Sequence, residues 1–174
     1  MKIVLIFDQG LAGQGGKGNL KLPLTIQKGG VGSALMLEPH FKKHNIEILA
    51  TLSCGIETYQ ENQEEVVTKM CAMVKKLAPD FVLAGPCFNF DVYAEMSAKI
   101  VKVLKNKNIV PACTMMAIEN NKTINEYASQ IDIIKMPKKG GTGLNDSFSD
   151  LCEYIDCLFN NQAHLKEIKE RICY

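Results

Sequence analysis

Apolar residues along the chain fall into short runs separated by longer amphipathic stretches. Residues 2–7, 46–52, 81–84, 109–116 and 131–136 are runs of strand length, too short to read as helices. Between them the spacing becomes helical. Val31 opens a helix to about Lys43 carrying Leu35, Leu37 and Phe41, which Pro39 should shorten or bend. Val66, Met70, Met73, Val74 and Leu77 mark the next helix, where Asn62 and Glu65 have the spacing of a capping pair. Val92, Met96, Ile100, Val103 and Leu104 follow, then Phe148, Leu151, Cys152, Ile155 and Leu158, and last Leu165, Ile168 and Ile172. Strand and helix alternate five times, the pattern of a parallel sheet covered on both faces.

The expected fold is therefore α/β: a three-layer open sheet of about five mainly parallel strands, Rossmann-like or flavodoxin-like. All 174 residues are expected in a single domain, with one long glycine-rich loop at 9–30 where no periodicity is found. The organising stretch is 79–104. Gly85 and Pro86 end its strand, because glycine frees the backbone and proline cannot donate to a ladder. Asp91 stands where a helix cap is wanted, leaving Cys87, Asn89 and Tyr93 at the junction. Open α/β sheets bind ligands outside the carboxyl ends of their strands, so chemistry is expected there.

Twenty basic and nineteen acidic residues nearly cancel, which argues against nucleic acid or an anionic membrane as partner. No apolar run is long enough to cross a bilayer. The amino terminus meets Asp8 too early for a signal peptide and reads as the first strand of a cytoplasmic protein. Seven cysteines without a C-x-x-C pair read as free thiols, and the three histidines lack metal-ligand spacing. No metal and no cofactor is expected.

Gly13, Gly15, Gly16 and Gly18 match a dinucleotide-type glycine pattern. Asn19 to Pro23 follow, however, where a helix would have to start to hold a pyrophosphate. A mobile lid or tight backbone packing suits these glycines better. Gly30 and Gly32 open a helix whose free N–H groups could hold a carboxylate or phosphate, or simply begin a helix. Cys54 and Cys87 both follow strand ends. A thiol near a helix N-terminus has a lowered pKa, whereas a buried cysteine is only a small hydrophobe. Glu119 and Asn120, leaving the fourth strand, could orient a cationic or amide group, or form a solvated turn.

Read in order, these features resemble one family. Asp8-Gln9 with Ala12 to Gly16, Gly30-Val31-Gly32, Ala50-Thr51 with Cys54-Gly55, and Tyr59 with Glu61-Asn62 come first. Pro79-Asp80 with Ala84-Gly85-Pro86, Phe88-Asn89 and Tyr93 is the most specific block, completed by Ile109, Pro111, Glu119-Asn120 and Ile133 to Lys135. Over roughly residues 4 to 136 the chain resembles the N-terminal region of the selenoprotein B family of glycine/sarcosine/betaine reductases, related to D-proline reductase. Where that family has a glycine and an arginine before the tyrosine, this chain has Phe90, Asp91 and Val92. The guanidinium that would pair with a substrate carboxylate is thus absent.

The resemblance implies a short stand-alone relative without the family's later selenocysteine segment. It would act in thiol-dependent reductive chemistry on a small amine or amino-acid-like ligand. Cys54 and Cys87 are the implied nucleophile or redox thiols. Gln9, Gly13, Gly15, Gly16, Gly30, Gly32, Asn89, Tyr93, Glu119 and Asn120 are the implied substrate contacts, brought to one rim of the sheet. Reductase partner subunits are implied, and a homo-oligomer is open. The alternative from another class is a non-catalytic ligand-binding or assembly subunit of a reductase complex. A nucleotide-binding domain is the third reading.

Overall fold

The structure, a computed structural model, describes residues 1–15 and 18–174. Gly16 and Lys17 lie outside the described residues. The first strand, β1 (Lys2–Asp8), is central: Ile3 through Phe7 are fully buried, as a strand covered on both faces must be. After it come β2 (Thr25–Lys28), a 3-10 turn over Gly32–Met36, α1 (Glu38–Lys43) and β3 (Glu47–Cys54). Helices α2 (Ile56–Glu61) and α3 (Gln63–Leu77) lead to β4 (Phe81–Ala84), then α4 (Asp91–Asn106) and β5 (Ala112–Ala117). The chain closes with a 3-10 turn (Ile118–Asn120), α5 (Asn121–Tyr127), β6 (Ile133–Met136), α6 (Leu144–Asn160) and α7 (Leu165–Ile172).

The sheet order is β2-β3-β1-β4-β5-β6. Neighbours from β3 through β6 run parallel, and β2 is antiparallel to β3. The α/β sheet expected from the alternation is thus present, with one strand more than expected. The chain first moves from β1 to β3 on one side, then to β4 on the other. Between β1 and β4 the order reverses, and such switch points open a crevice at the carboxyl edge. The carboxyl ends of β1, β3, β4, β5 and β6 share that edge.

Four local expectations change. Within the segment expected to be a loop, Thr25 to Lys28 pair with β3 as an edge strand of alternating half-buried and exposed residues. The helix expected over residues 31–43 divides at Leu37, where Pro39 takes a place in the first turn of α1 that needs no N–H donor. Asn62 precedes α3 without a side-chain cap bond, and Glu65 pairs instead with Lys69 one turn on. Asp91 is the first residue of α4 rather than its cap, and its carboxylate accepts the Val92 N–H at 2.8 Å. Among the described residues no helix is long and apolar enough to cross a membrane.

Candidate functional site

The rim is built from what each strand does as it ends. Beyond β1 the chain folds back at once: the Asp8 carboxylate accepts the Leu11 N–H at 2.7 Å, and its carbonyl accepts Ala12 N–H at 3.1 Å. Burial pushes the Asp8 carboxyl up, against the lowering effect of the Leu11 and Gly10 N–H groups. Gln9 is buried and accepts the Ile56 N–H at 3.0 Å, joining this turn to the start of α2. Gly32, at φ +54°, lies so close to the turn that a Cβ there would stand 2.1 Å from the Leu11 carbonyl oxygen. That same oxygen accepts the Ser33 N–H at 2.7 Å. The backbone expected to hold an anion at this helix start therefore holds Leu11.

Gln14 is tied to Asn19, Gln27 and Ser53, and Ser53 to Thr25, by polar groups. Ser53 donates to Gln14 Oε1 at 2.8 Å, Gln14 Nε2 donates to Gln27 Oε1 at 3.0 Å, and the Thr25 and Ser53 hydroxyls lie 2.8 Å apart. Asn19 donates to the Gln14 carbonyl at 2.8 Å, beneath Gly15. Gly55 lets the Leu20 carbonyl approach, since a Cβ there would sit 2.0 Å from it. Gly13 faces Gly32, while Gly30 packs against Ile48 and Ala34, away from the carboxyl rim. No α-helix starts among the described residues between β1 and β2, so a helix to receive a pyrophosphate is not found there.

Beyond β4 the backbone keeps pairing with β5: Cys87 N–H donates to Met115 O at 2.7 Å, and Ala117 N–H to Phe88 O at 3.0 Å. This turns Cys87 inward. Its sulfur lies 3.2 Å from Ser97 Oγ and 3.5 Å from Thr114 Oγ1, fully buried. Tyr93 is equally buried and donates to the Ile6 carbonyl at 2.5 Å, locking α4 to β1. Cys54, also fully buried, meets Met96 Sδ at 3.5 Å.

Cys87 is expected just before a helix start, where a thiol has a lowered pKa, and Cys54 in a turn with Gly55, with simple burial as the alternative for both. Burial instead pushes Cys54 up to about 12, aided by nearby Asp8. It pushes Cys87 up to about 12 as well, against the opposing hydrogen bonds of Ser97 and Thr114. Desolvation wins because Cys87 packs against the second turn of α4 and never reaches its free N–H groups.

The 3-10 turn after β5 grips its two neighbours. Asn120 is buried and donates through Nδ2 to Phe88 O at 2.5 Å and Ala117 O at 3.1 Å, while its Oδ1 has no partner. Exposed Glu119 accepts the Lys139 N–H at 2.7 Å, and that bond lowers its pKa. Between the two gripped loops opens a cavity of about 420 Å³. Phe88, Asn89 and Phe90 line it from one loop and Lys138, Lys139 and Gly140 from the other, with Leu11, Met36 and Leu144 also facing it.

Among the described residues of the expected site, Asn89 alone lines this cavity; Glu119 and Asn120 hold its walls, and Gln9, Gly13 and Gly32 shape the turn bearing Leu11. Gly15 belongs to the polar segment, and Gly16 is not among the described residues. Cys54, Cys87 and Tyr93 are packed inside. Lys138 and Lys139 were missed, although Pro137-Lys-Lys-Gly-Gly directly after a strand was the available signal. A second cavity, about 410 Å³, lies at the amino ends of β5 and β6. There Asp132 receives the Tyr154 hydroxyl and the Lys169 ammonium, each at 2.8 Å.

Comparison with known proteins agrees with the motifs along this rim. The sarcosine reductase complex component B subunit beta of Peptoclostridium acidaminophilum is 30% identical over 135 residues, covering 78% of this chain and 30% of that protein. The glycine reductase complex component B subunit gamma of Symbiobacterium thermophilum is 31% identical over 120 residues, covering 69% of this chain and 28% of its own length. A betaine reductase complex component B subunit beta from Peptoclostridium acidaminophilum is 30% identical over 119 residues, 27% of its length. The chain thus spans under a third of the curated relatives it matches. No solved structure matches it significantly. The family profile for glycine/sarcosine/betaine reductase selenoprotein B matches residues 1–173, nearly the whole chain, and the chain belongs to that family.

Proposed function

We propose that this chain is the ligand-holding part of a reductase assembly. On this reading it binds a small amine or amino-acid-like molecule in the cavity between the β4–α4 and β6–α6 loops. The reductive step is completed by partner polypeptides. The observation that carries the reading is the cavity's place, at the carboxyl edge beside the reversal of strand order, with two lysines on its wall. Its relatives' names, components of sarcosine, glycine and betaine reductase complexes, support the ligand class and the assembly.

Titration of the ¹⁵N-labelled protein with glycine, sarcosine, betaine and larger amino acids tests this. Amide shifts concentrated at residues 88–90 and 138–141 are expected with at least one of them. If no amine or amino acid moves those amides, the ligand-holding role falls.

A second reading keeps catalysis within the chain, with Cys54 or Cys87 as thiol nucleophile or redox partner in reductive C–N cleavage. It is favoured by the position of both cysteines where β3 and β4 end, beneath the same rim. Each thiol would then have to become accessible and ionised on ligand binding, because at neutral pH a thiol with a pKa of about 12 is protonated.

A further inference from the structure

The walls of the rim cavity restrict the ligand further than the family does, and the inference rests on the proposed binding role. Most of the cavity is apolar: Leu11, Met36, Phe88, Phe90 and Leu144 face it. Phe88 and Phe90 meet edge to face with ring centroids 6.2 Å apart, yet Phe90 remains 47% exposed. A two-carbon zwitterion would cover almost none of this surface, and about 420 Å³ lies within the range of sites that take much larger ligands.

The charged groups are equally one-sided. Lys138 and Lys139 line the cavity, and among the described residues neither ammonium has a carboxylate within ion-pair distance. Glu119, the acid they influence, directs Oε1 at the Lys139 backbone N–H. A ligand anion would therefore meet two lysines beside an aromatic wall.

We propose that the cavity takes a carboxylate bearing a bulky apolar group, preferably an aryl ring. The ring stacks against Phe88 and Phe90 and covers Leu144, and the carboxylate lies toward Lys138 and Lys139. For an amino acid of this type, the Asn89 amide and Ser33 hydroxyl, both lining the cavity, are at hand for the ammonium group.

Calorimetric titration paired with amide-shift mapping tests this, using phenylacetate, phenylalanine, phenethylamine, acetate, glycine, sarcosine and betaine. Phenylacetate and phenylalanine should bind at the rim at least about ten-fold more tightly than acetate or glycine, the effect of burying one ring. Phenethylamine, with the ring but the opposite charge, should bind more weakly than phenylacetate. F90S should weaken phenylacetate binding about ten-fold. K138Q/K139Q should weaken it several-fold, with the loss shrinking at high salt.

If glycine, sarcosine or betaine shifts the rim amides with equal or higher affinity than the phenyl compounds, the ligand class is overturned while the rim site stands. Equal binding of phenethylamine and phenylacetate overturns the charge assignment. Phenylacetate binding left unchanged in both variants places it elsewhere and overturns the proposal. Silence of the rim toward every probe removes the binding role itself.

Discussion

Two segments leave the central strands toward the same rim, and they are held by opposite means. The inner side of the unit from β4 through α4 is dry: Phe81 to Ala84, Cys87, Tyr93 and Ser97 are buried, and the polar groups of Cys87, Tyr93 and Ser97 bond to each other or to strand groups. Residues 9–15 and 18–28 are held by side-chain amides and hydroxyls around Gln14 and Ser53, and by two glycines that let carbonyls come close. Apolar burial repeats along a sequence with the period of its element, so it can be read in one dimension. A polar network joining Gln14, Thr25, Gln27 and Ser53 has no period. The first segment is therefore the more legible, and it should also be the more stable.

Truncation should separate the two most sharply. Phe81→Ala empties a fully buried aromatic position between β1 and β5 and should cost about 3–5 kcal/mol in urea unfolding. Gly32→Ala should follow at about 2–4 kcal/mol, because a Cβ must enter the Leu11 carbonyl at a positive φ. A Gly32→Ala protein as stable as the parent would show that the turn bearing Leu11 is not pinned there.

Removing single hydrogen bonds gives smaller effects. Tyr93→Phe leaves the buried Ile6 carbonyl without its donor and should cost about 1–2 kcal/mol. Ser53→Ala, in the half-buried network, should cost about 1 kcal/mol or less, since water can replace part of it. Equal costs at these two positions would erase the distinction between dry and polar anchoring.

The pH dependence sharpens the same contrast. Cys54 and Cys87 have folded pKa values raised from 9.0 to about 12. Below pH 9 both folded and unfolded thiols are protonated and their contribution is intact. Between about pH 9 and 12 the unfolded thiols lose protons first, so stability falls as pH rises. The Cys54→Ala/Cys87→Ala pair should show a shallower alkaline decline in urea midpoints than the parent. An identical slope would mean that these thiols do not carry it.

The parallel sheet, its central 79–104 unit and the place of the rim were legible because each strand is a compact apolar run and each helix has an apolar stripe. Strand β2 was not, since Thr25-Ile-Gln-Lys is a short edge strand with one large apolar residue, and that residue points outward. The candidate cavity was legible by location more than by residue. Asn89, Glu119 and Asn120 stand at the cavity or hold it, because strand ends could be placed. Cys54 and Cys87 were placed at strand ends too, but the direction in which a side chain leaves a turn depends on later pairing, here of Cys87 N–H with Met115 O. The lysine wall arises only when the β6–α6 loop meets the β4–α4 loop, residues fifty positions apart in sequence.

The central claim is that binding chemistry belongs to the rim loops while Cys54 and Cys87 are protonated packing residues. Site-resolved mass spectrometry after brief iodoacetamide treatment of the folded protein at neutral pH tests it most directly. The account predicts that both cysteines stay unmodified until denaturant is added. Preferential alkylation of either one in the native state would contradict it.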